Sequence, residues 1–127
     1  MFVPMTAHAD SETKVLFFYH DGCPWCAKMD RILRDPEMVS LLSGHAQLIK
    51  INVEGRQMIP SLQQTGIGAA HEFKVYGTPT IIFMAPGKKE ILRVPGALSK
   101  EDFWDVVCEY IPGIKREKGC AKVVGAL

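Results

Sequence analysis

Apolar and polar positions along the chain fall into segments of distinct period. Val15 to Tyr19 (VLFFY) is an unbroken run of β-branched and aromatic residues, the pattern of a strand buried on both faces, so it is expected at the centre of a sheet. From Pro24, apolar side chains at Trp25, Met29, Ile32 and Leu33 recur at helical spacing, and Asp35-Pro36 then demands a kink or a new short helix reaching Leu42. Ala46 to Val53 (AQLIKINV) predicts a second strand. Gly55 to Gly68 has weak periodicity, punctuated by Gly and Pro, and reads as a loop with one helical turn around Ser61 to Gln64; a short helix is expected over Ala69 to Val75. Thr80 to Met84 and Glu90 to Val94 are β-prone runs joined by APGKK, a hairpin with its turn at Pro-Gly. Ser99, with Asp102 three residues on, resembles a capping box, and Phe103, Val106, Val107, Tyr110 and Ile111 form the apolar stripe of a closing helix that Pro112-Gly113 ends. The expected order is β-α-β-α-β-β-α, an α/β chain.

Composition narrows the class of function. A chain of 127 residues, 47% hydrophobic and 23% charged, can bury one core. Its net charge of +1, from 15 basic and 14 acidic residues spread along the chain, gives no electrostatic reason to expect nucleic acid or an anionic membrane as partner. No apolar run reaches eighteen residues, so no membrane insertion by a helix is expected. Residues 14–112 are read as the folded domain and 113–127 as a C-terminal tail, in which Lys115 to Lys118 (KREK) is a solvated charge run. Residues 1–13 are read as a flexible segment in which Ala7-His8-Ala9 fits the small-x-small pattern of export-signal cleavage, with a signal-peptide remnant as one reading.

The candidate chemistry lies in GCPWC. Cys23 and Cys26, at i and i+3, share one face of a helical turn at a separation a disulfide can close. With Cys23 as N-cap and Pro24 as first helical residue, the Cys23 sulfur faces free backbone N–H groups and the positive end of the helix dipole, an arrangement that favours the thiolate. A thiolate there attacks a substrate disulfide, and Cys26 resolves the mixed disulfide; the same steps reversed deliver a disulfide. The competing reading, half of a zinc site, needs further ligands, and no second Cys-x-x-Cys is present, so no metal is assigned.

A buried strand, GCPWC opening a helix, and YGTPTIIF about fifty residues later together resemble the thioredoxin-like fold family. The resemblance covers about Val15 to Ile111; FFYHDGCPWCAKM, DPEM and PGALSKEDF look most like exported bacterial thioredoxin-like proteins, including periplasmic thioredoxin-related reductases and, more distantly, the catalytic domains of disulfide isomerases. It implies a thioredoxin-like fold with a central mixed sheet flanked by helices, and a protein thiol-disulfide oxidoreductase acting on protein disulfides in the periplasm. By the same resemblance, Cys23 and Cys26 are catalytic, and Pro79 is a cis proline which, with Thr78, shapes the substrate site; Pro24 and Trp25, between the cysteines, border it, Trp25 covering Cys23 and offering a flat apolar surface to a substrate, with a partly exposed helix residue of no specific role as the alternative. No cofactor is expected, since no dinucleotide motif is present; electrons would come from a thiol protein, a membrane electron carrier being the family's usual donor. The alternatives are an oxidase or isomerase using the same cysteines, or a non-catalytic binding module on the same scaffold. Two departures stand out: Phe17 occupies the position where thioredoxins bury an acid, so another group must accept the proton of Cys26, and the dipeptide between the cysteines is Pro24-Trp25 rather than Gly-Pro.

The remaining signals are weaker. His20 and Asp21 precede the motif and could tune Cys23 or carry a proton, since imidazole as a group titrates near neutrality. Cys108, on the apolar side of the closing helix, reads first as a small core residue, with a bridge to Cys120 as the alternative. His45 and His71 have no companions at ligand spacing.

Overall fold

The computed structural model describes residues 12–120; the export-signal reading and the last residues of the tail fall outside them. Four strands, β1 (Thr13–Tyr19), β2 (Ala46–Asn52), β5 (Thr80–Ala85) and β6 (Lys89–Pro95), form the main sheet in the order β2-β1-β5-β6. β1 runs parallel to β2 and antiparallel to β5, and β5 antiparallel to β6, so the sheet is mixed. The parallel pair is joined by α1 (Pro24–Arg34) and α2 (Pro36–Leu42), as parallel pairing requires a crossover. Among the described residues no helix is long and apolar enough to cross a membrane.

The run VLFFY occupies a central strand because helices cover both faces of the sheet. Val15 and Phe17 point into one cluster with Met29, Leu33, Phe83 and Phe103, whereas Leu16 and Phe18 point into another with Ile51, Ile82 and Ala69. The first cluster packs under α1, α2 and α4 (Lys100–Tyr110), and the second under α3 (Gly66–Glu72). Period-2 alternation therefore distributes one apolar run between two cores.

Asp35-Pro36 starts a new helix rather than kinking the first. The Asp35 carboxylate accepts from the backbone N–H groups of Glu37 and Met38 at 3.1 and 3.2 Å, so it caps α2 while ending α1. At the other end of the chain Ser99 caps α4, its Oγ accepting from Asp102 N–H at 3.0 Å. The predicted stripe is corrected at one position. Phe103, Val107 and Ile111 are buried, but Tyr110 is exposed, because it falls at the edge of the face that Phe103, Val107 and Cys108 bury.

The segment from Gly55 to Gly68 departs from its reading as a loop. It contains a two-stranded ribbon, β3 (Met58–Ile59) with β4 (Gln64–Thr65), and the start of α3, which begins at Gly66 and ends at Glu72 rather than running from Ala69 to Val75. Glycine weakens helix propensity, which hid this start. Thr65 supplies the cap, its Oγ1 accepting from Gly68 N–H at 3.0 Å, and Gly66 lies so close to Asn52 that a Cβ there would overlap the Asn52 carbonyl oxygen. Tertiary contact, not propensity, selects glycine at this point. Beyond Glu72 the carbonyls of Phe73 and Lys74 accept from the Arg93 guanidinium at 2.7 and 3.1 Å, which pins the end of α3 to β6.

Cys108 is buried, as its place on the apolar face suggested, but it is not a free thiol: it is bonded to Cys120, with their Cα atoms 5.5 Å apart. The segment after α4 folds back to make this possible. Ile114 enters the core, Trp104 Nε1 donates to the Gly119 carbonyl at 3.3 Å, and His45 Nε2 lies 2.7 Å from a Glu117 carboxylate oxygen. Lys115 to Lys118 remain exposed. A bridge closing a loop of this size contributes about 2–4 kcal/mol, so the double variant Cys108→Ala, Cys120→Ala is expected to lose that much in chemical denaturation with its Cys23–Cys26 pair unchanged. A loss under about 0.5 kcal/mol would show that the returning segment is held by its packing alone.

Candidate active site

The site forms where β1 ends and α1 begins. After Tyr19 the chain turns through Gly22, whose φ of +82° lies in the left-handed region that glycine adopts without steric strain. This delivers Cys23 to the N-cap of α1 in an extended conformation, with Pro24 as the first helical residue. Cys23 and Cys26 form a disulfide with Cα atoms 5.2 Å apart. The backbone N–H of Cys26 donates to Cys23 Sγ at 3.2 Å. Cys23 is half-buried as a residue, at the cap, whereas Cys26 is buried within the helix.

A second segment, about fifty residues on, completes the site. The Thr78–Pro79 peptide is cis, and Pro79 is buried. The Thr78 carbonyl oxygen lies 4.0 Å from Cys23 Sγ, and the Thr78 hydroxyl lies 3.9 Å from the same sulfur. His20 Nδ1 is 2.6 Å from the Thr78 hydroxyl. The fold thus brings together Cys23, Cys26, Thr78 and Pro79 and adds His20, for which the sequence left a solvated loop position equally open. Asp21 is exposed at the rim, and His71 is exposed away from the cysteines, on α3.

Trp25 is 59% exposed, with the Lys28 ammonium 5.2 Å from its ring centroid. Tyr76 is 90% exposed and lines, with His20 and Thr78, a shallow cleft beside the pair. Two aromatic side chains therefore stand in solvent on the segments that carry the cysteines and the cis proline.

Sequence reasoning missed two residues. A cleft of about 190 Å³ beside the cysteine pair is lined by Phe17, Tyr19, Cys23, Cys26, Asp30 and Lys50, among others. Lys50 Nζ lies 2.8 Å from one Asp30 oxygen, and Arg34 Nε donates to the other at 2.9 Å. Burial pushes the Asp30 carboxyl up, but the hydrogen bonds and charges of Lys50 and Arg34 outweigh it and hold the group below the usual carboxylate range. Asp30 is therefore ionised at neutral pH. The available signal was its position one helical turn after Cys26, on the same face; Lys50 reaches the cleft only through the pairing of β2 with β1.

The thioredoxin-like domain family model matches residues 5–110. The chain belongs to the thioredoxin-like domain family. Its mixed sheet flanked by helices is also that of solved thioredoxins. One from Thermus thermophilus is 24% identical, with 81% of this chain and 76% of that one covered at a TM-score of 0.63. A mutant thioredoxin from Halobacterium salinarum NRC-1 is 20% identical, covering 84% and 80% at 0.60. The germline-specific thioredoxin Deadhead of Drosophila melanogaster is 20% identical, covering 82% and 86% at 0.63. No curated protein matches the chain significantly. In this thioredoxin-like domain Phe17, 1% exposed and stacked on Tyr19 at 5.6 Å, lies in the strand leading to the cysteine pair at the start of α1.

Proposed function

We propose that this thioredoxin-like protein reduces protein disulfides through Cys23 and Cys26. The observation that carries the reading is the asymmetry of the pair: Cys23 is partly exposed at the N-cap of α1, and Cys26 is buried behind it. In the dithiol form the Cys23 thiolate attacks one sulfur of a substrate disulfide. A Cys23–substrate bond forms, the substrate bond breaks, and one substrate thiolate leaves. Cys26, as thiolate, then attacks Cys23 Sγ, releases the second substrate thiolate and closes the Cys23–Cys26 disulfide, two electrons having passed to the substrate. Free N–H groups at the start of α1 favour negative charge on Cys23.

The Thr78 carbonyl, 4.0 Å from Cys23 Sγ, is suited to accept a backbone N–H from an extended substrate segment, and Pro79 with Pro24 and Trp25 borders that segment. Phe17 carries no proton, so we assign the exchange of the Cys26 proton, through water, to Asp30 and Lys50, which share a cleft with both cysteines. A thiol protein of more reducing potential regenerates the dithiol; we assign that role to a membrane-bound electron carrier. The buried Cys108–Cys120 bridge suits an oxidising compartment, and we place the protein in a bacterial periplasm.

The deciding measurement is the reduction potential of the Cys23–Cys26 pair, obtained by equilibration against glutathione or dithiothreitol with free thiols counted. A reductase is expected at about −270 to −200 mV, the span of thioredoxin and glutaredoxins; a value near about −120 mV would make the protein an oxidant of folding chains instead.

A further inference from the structure

The same turn that presents Cys23 also carries an imidazole. The ligand atoms of His20, Cys23 and Cys26 lie within 4.8 Å of one another. The sequence offers no second Cys-x-x-Cys to complete a zinc site, but the fold bends His20, three residues before Cys23, back over the pair. We propose that the reduced protein binds one zinc(II) ion through Cys23 Sγ, Cys26 Sγ and a ring nitrogen of His20.

Donor chemistry, reach and orientation point to this site. The first is donor chemistry: two thiolates and an imidazole are the donor set of zinc, at about 2.3 Å for sulfur and 2.0–2.1 Å for nitrogen. The second is reach. Tetrahedral bonds of those lengths set the two sulfurs about 3.8 Å apart and each sulfur about 3.6 Å from the nitrogen. Once the disulfide is reduced, the sulfurs need only part by rotation about their Cα–Cβ bonds, and the imidazole needs to approach by roughly an ångström. The third is orientation. The Thr78 hydroxyl, 2.6 Å from His20 Nδ1, holds the imidazole beside the pair. Three protein ligands leave the fourth position to water or a small thiol, so the ion is exchangeable rather than structural.

Binding requires the dithiol. Each thiol gives up its proton, so one zinc ion replaces two protons; disulfide sulfurs carry no such charge, and the oxidised protein has no site. The ion therefore stabilises only the reduced form, which makes the pair easier to reduce. Each tenfold increase in free zinc above the dissociation constant raises the apparent potential by about 30 mV. Zinc would also occupy the sulfurs that exchange with substrate, holding the protein reduced and idle. None of this depends on the direction in which electrons flow in the proposed function.

The test uses the full chain with Cys23–Cys26 reduced and Cys108–Cys120 intact, verified as two free thiols per chain, titrated with zinc against a chromophoric chelator. One zinc per chain is expected for the reduced protein and none for the oxidised. His20→Ala should weaken binding at least about tenfold, the loss expected when a ligand shell is disrupted, and His20→Cys, which restores a third ligand, should recover it. Cobalt(II) in place of zinc should give tetrahedral thiolate bands that change in His20→Ala. Equal affinity in wild type and His20→Ala, one zinc shared by two chains, or binding to the oxidised protein would each overturn the site. Should His20→Ala fail to fold, the His20→Cys and cobalt results decide alone, because a spectrum identical in wild type and His20→Cys would mean that residue 20 is not a ligand.

Discussion

Cys26→Ser, expressed in its host, is expected to accumulate covalent adducts that migrate as larger species on non-reducing electrophoresis and collapse on reduction, while Cys23→Ser forms none and loses disulfide reduction by about three orders of magnitude or more. The contrast follows from position. Cys23 is the half-buried residue at the helix cap and Cys26 is buried within the helix, so the first is the one placed to meet a substrate disulfide. Once the mixed disulfide exists, a thiolate tethered one helical turn away attacks at an effective concentration no free thiol can match, and removing it leaves the adduct in place. A non-catalytic binding module on the same scaffold would instead tolerate both substitutions. Absence of adducts in Cys26→Ser, with the variant folded, would remove the catalytic reading.

Phe17→Ala should lower stability by about 3–5 kcal/mol, the cost of truncating a fully buried aromatic residue, which is a large share of the 5–15 kcal/mol that holds a typical domain folded. Its ring stacks on Tyr19 in the central strand and belongs to the core that also contains Cys26 and Met29. Deletion leaves a void beneath the active-site helix, beside the cleft that Phe17 lines with Asp30 and Lys50. Thermal unfolding read by circular dichroism should shift down by roughly 4–8 °C for each kcal/mol lost. Phe17→Leu, which keeps most of the volume, should retain the larger part of the stability. If Phe17→Ala costs less than about 1 kcal/mol, α1 must settle onto the strand and close the gap.

These substitutions probe features of different origin. The thioredoxin-like fold was legible through the resemblance carried by GCPWC and YGTPTIIF. The central position of Val15 to Tyr19, the α1 cap built by Cys23 and Pro24, and the β5–β6 hairpin were legible in the residues themselves. Each rests on local pattern: an apolar run too long for a half-exposed strand, a capping residue followed by proline, and two β-prone runs around Pro-Gly. The cysteine pair was legible for the same reason, since two residues at i and i+3 on one turn are neighbours whatever the rest of the chain does. The start of α3 was hidden because its glycine was chosen by the carbonyl of Asn52, a residue fourteen positions earlier in the chain.

Tertiary structure alone decided three further points. Cys108 and Cys120 are joined because the segment after α4 turns back through Ile114, and spacing in the sequence does not fix a Cα separation. Asp30 and Lys50 face the Cys26 cleft because the register of β2 on β1, Phe17 against Lys50, carries a lysine to a helix face it does not otherwise meet. His20 reaches Thr78 because the cis Thr78–Pro79 segment packs against the turn before Cys23, across 58 residues of chain. The sequence by itself determined the four strands of the main sheet, the helices α1, α2 and α4, and the chemistry that one helical turn can hold; the β3–β4 ribbon, the start of α3 and the distant side chains around that turn were settled by how the sheet pairs and where the chain returns, since contacts of long sequence separation leave no local period to read.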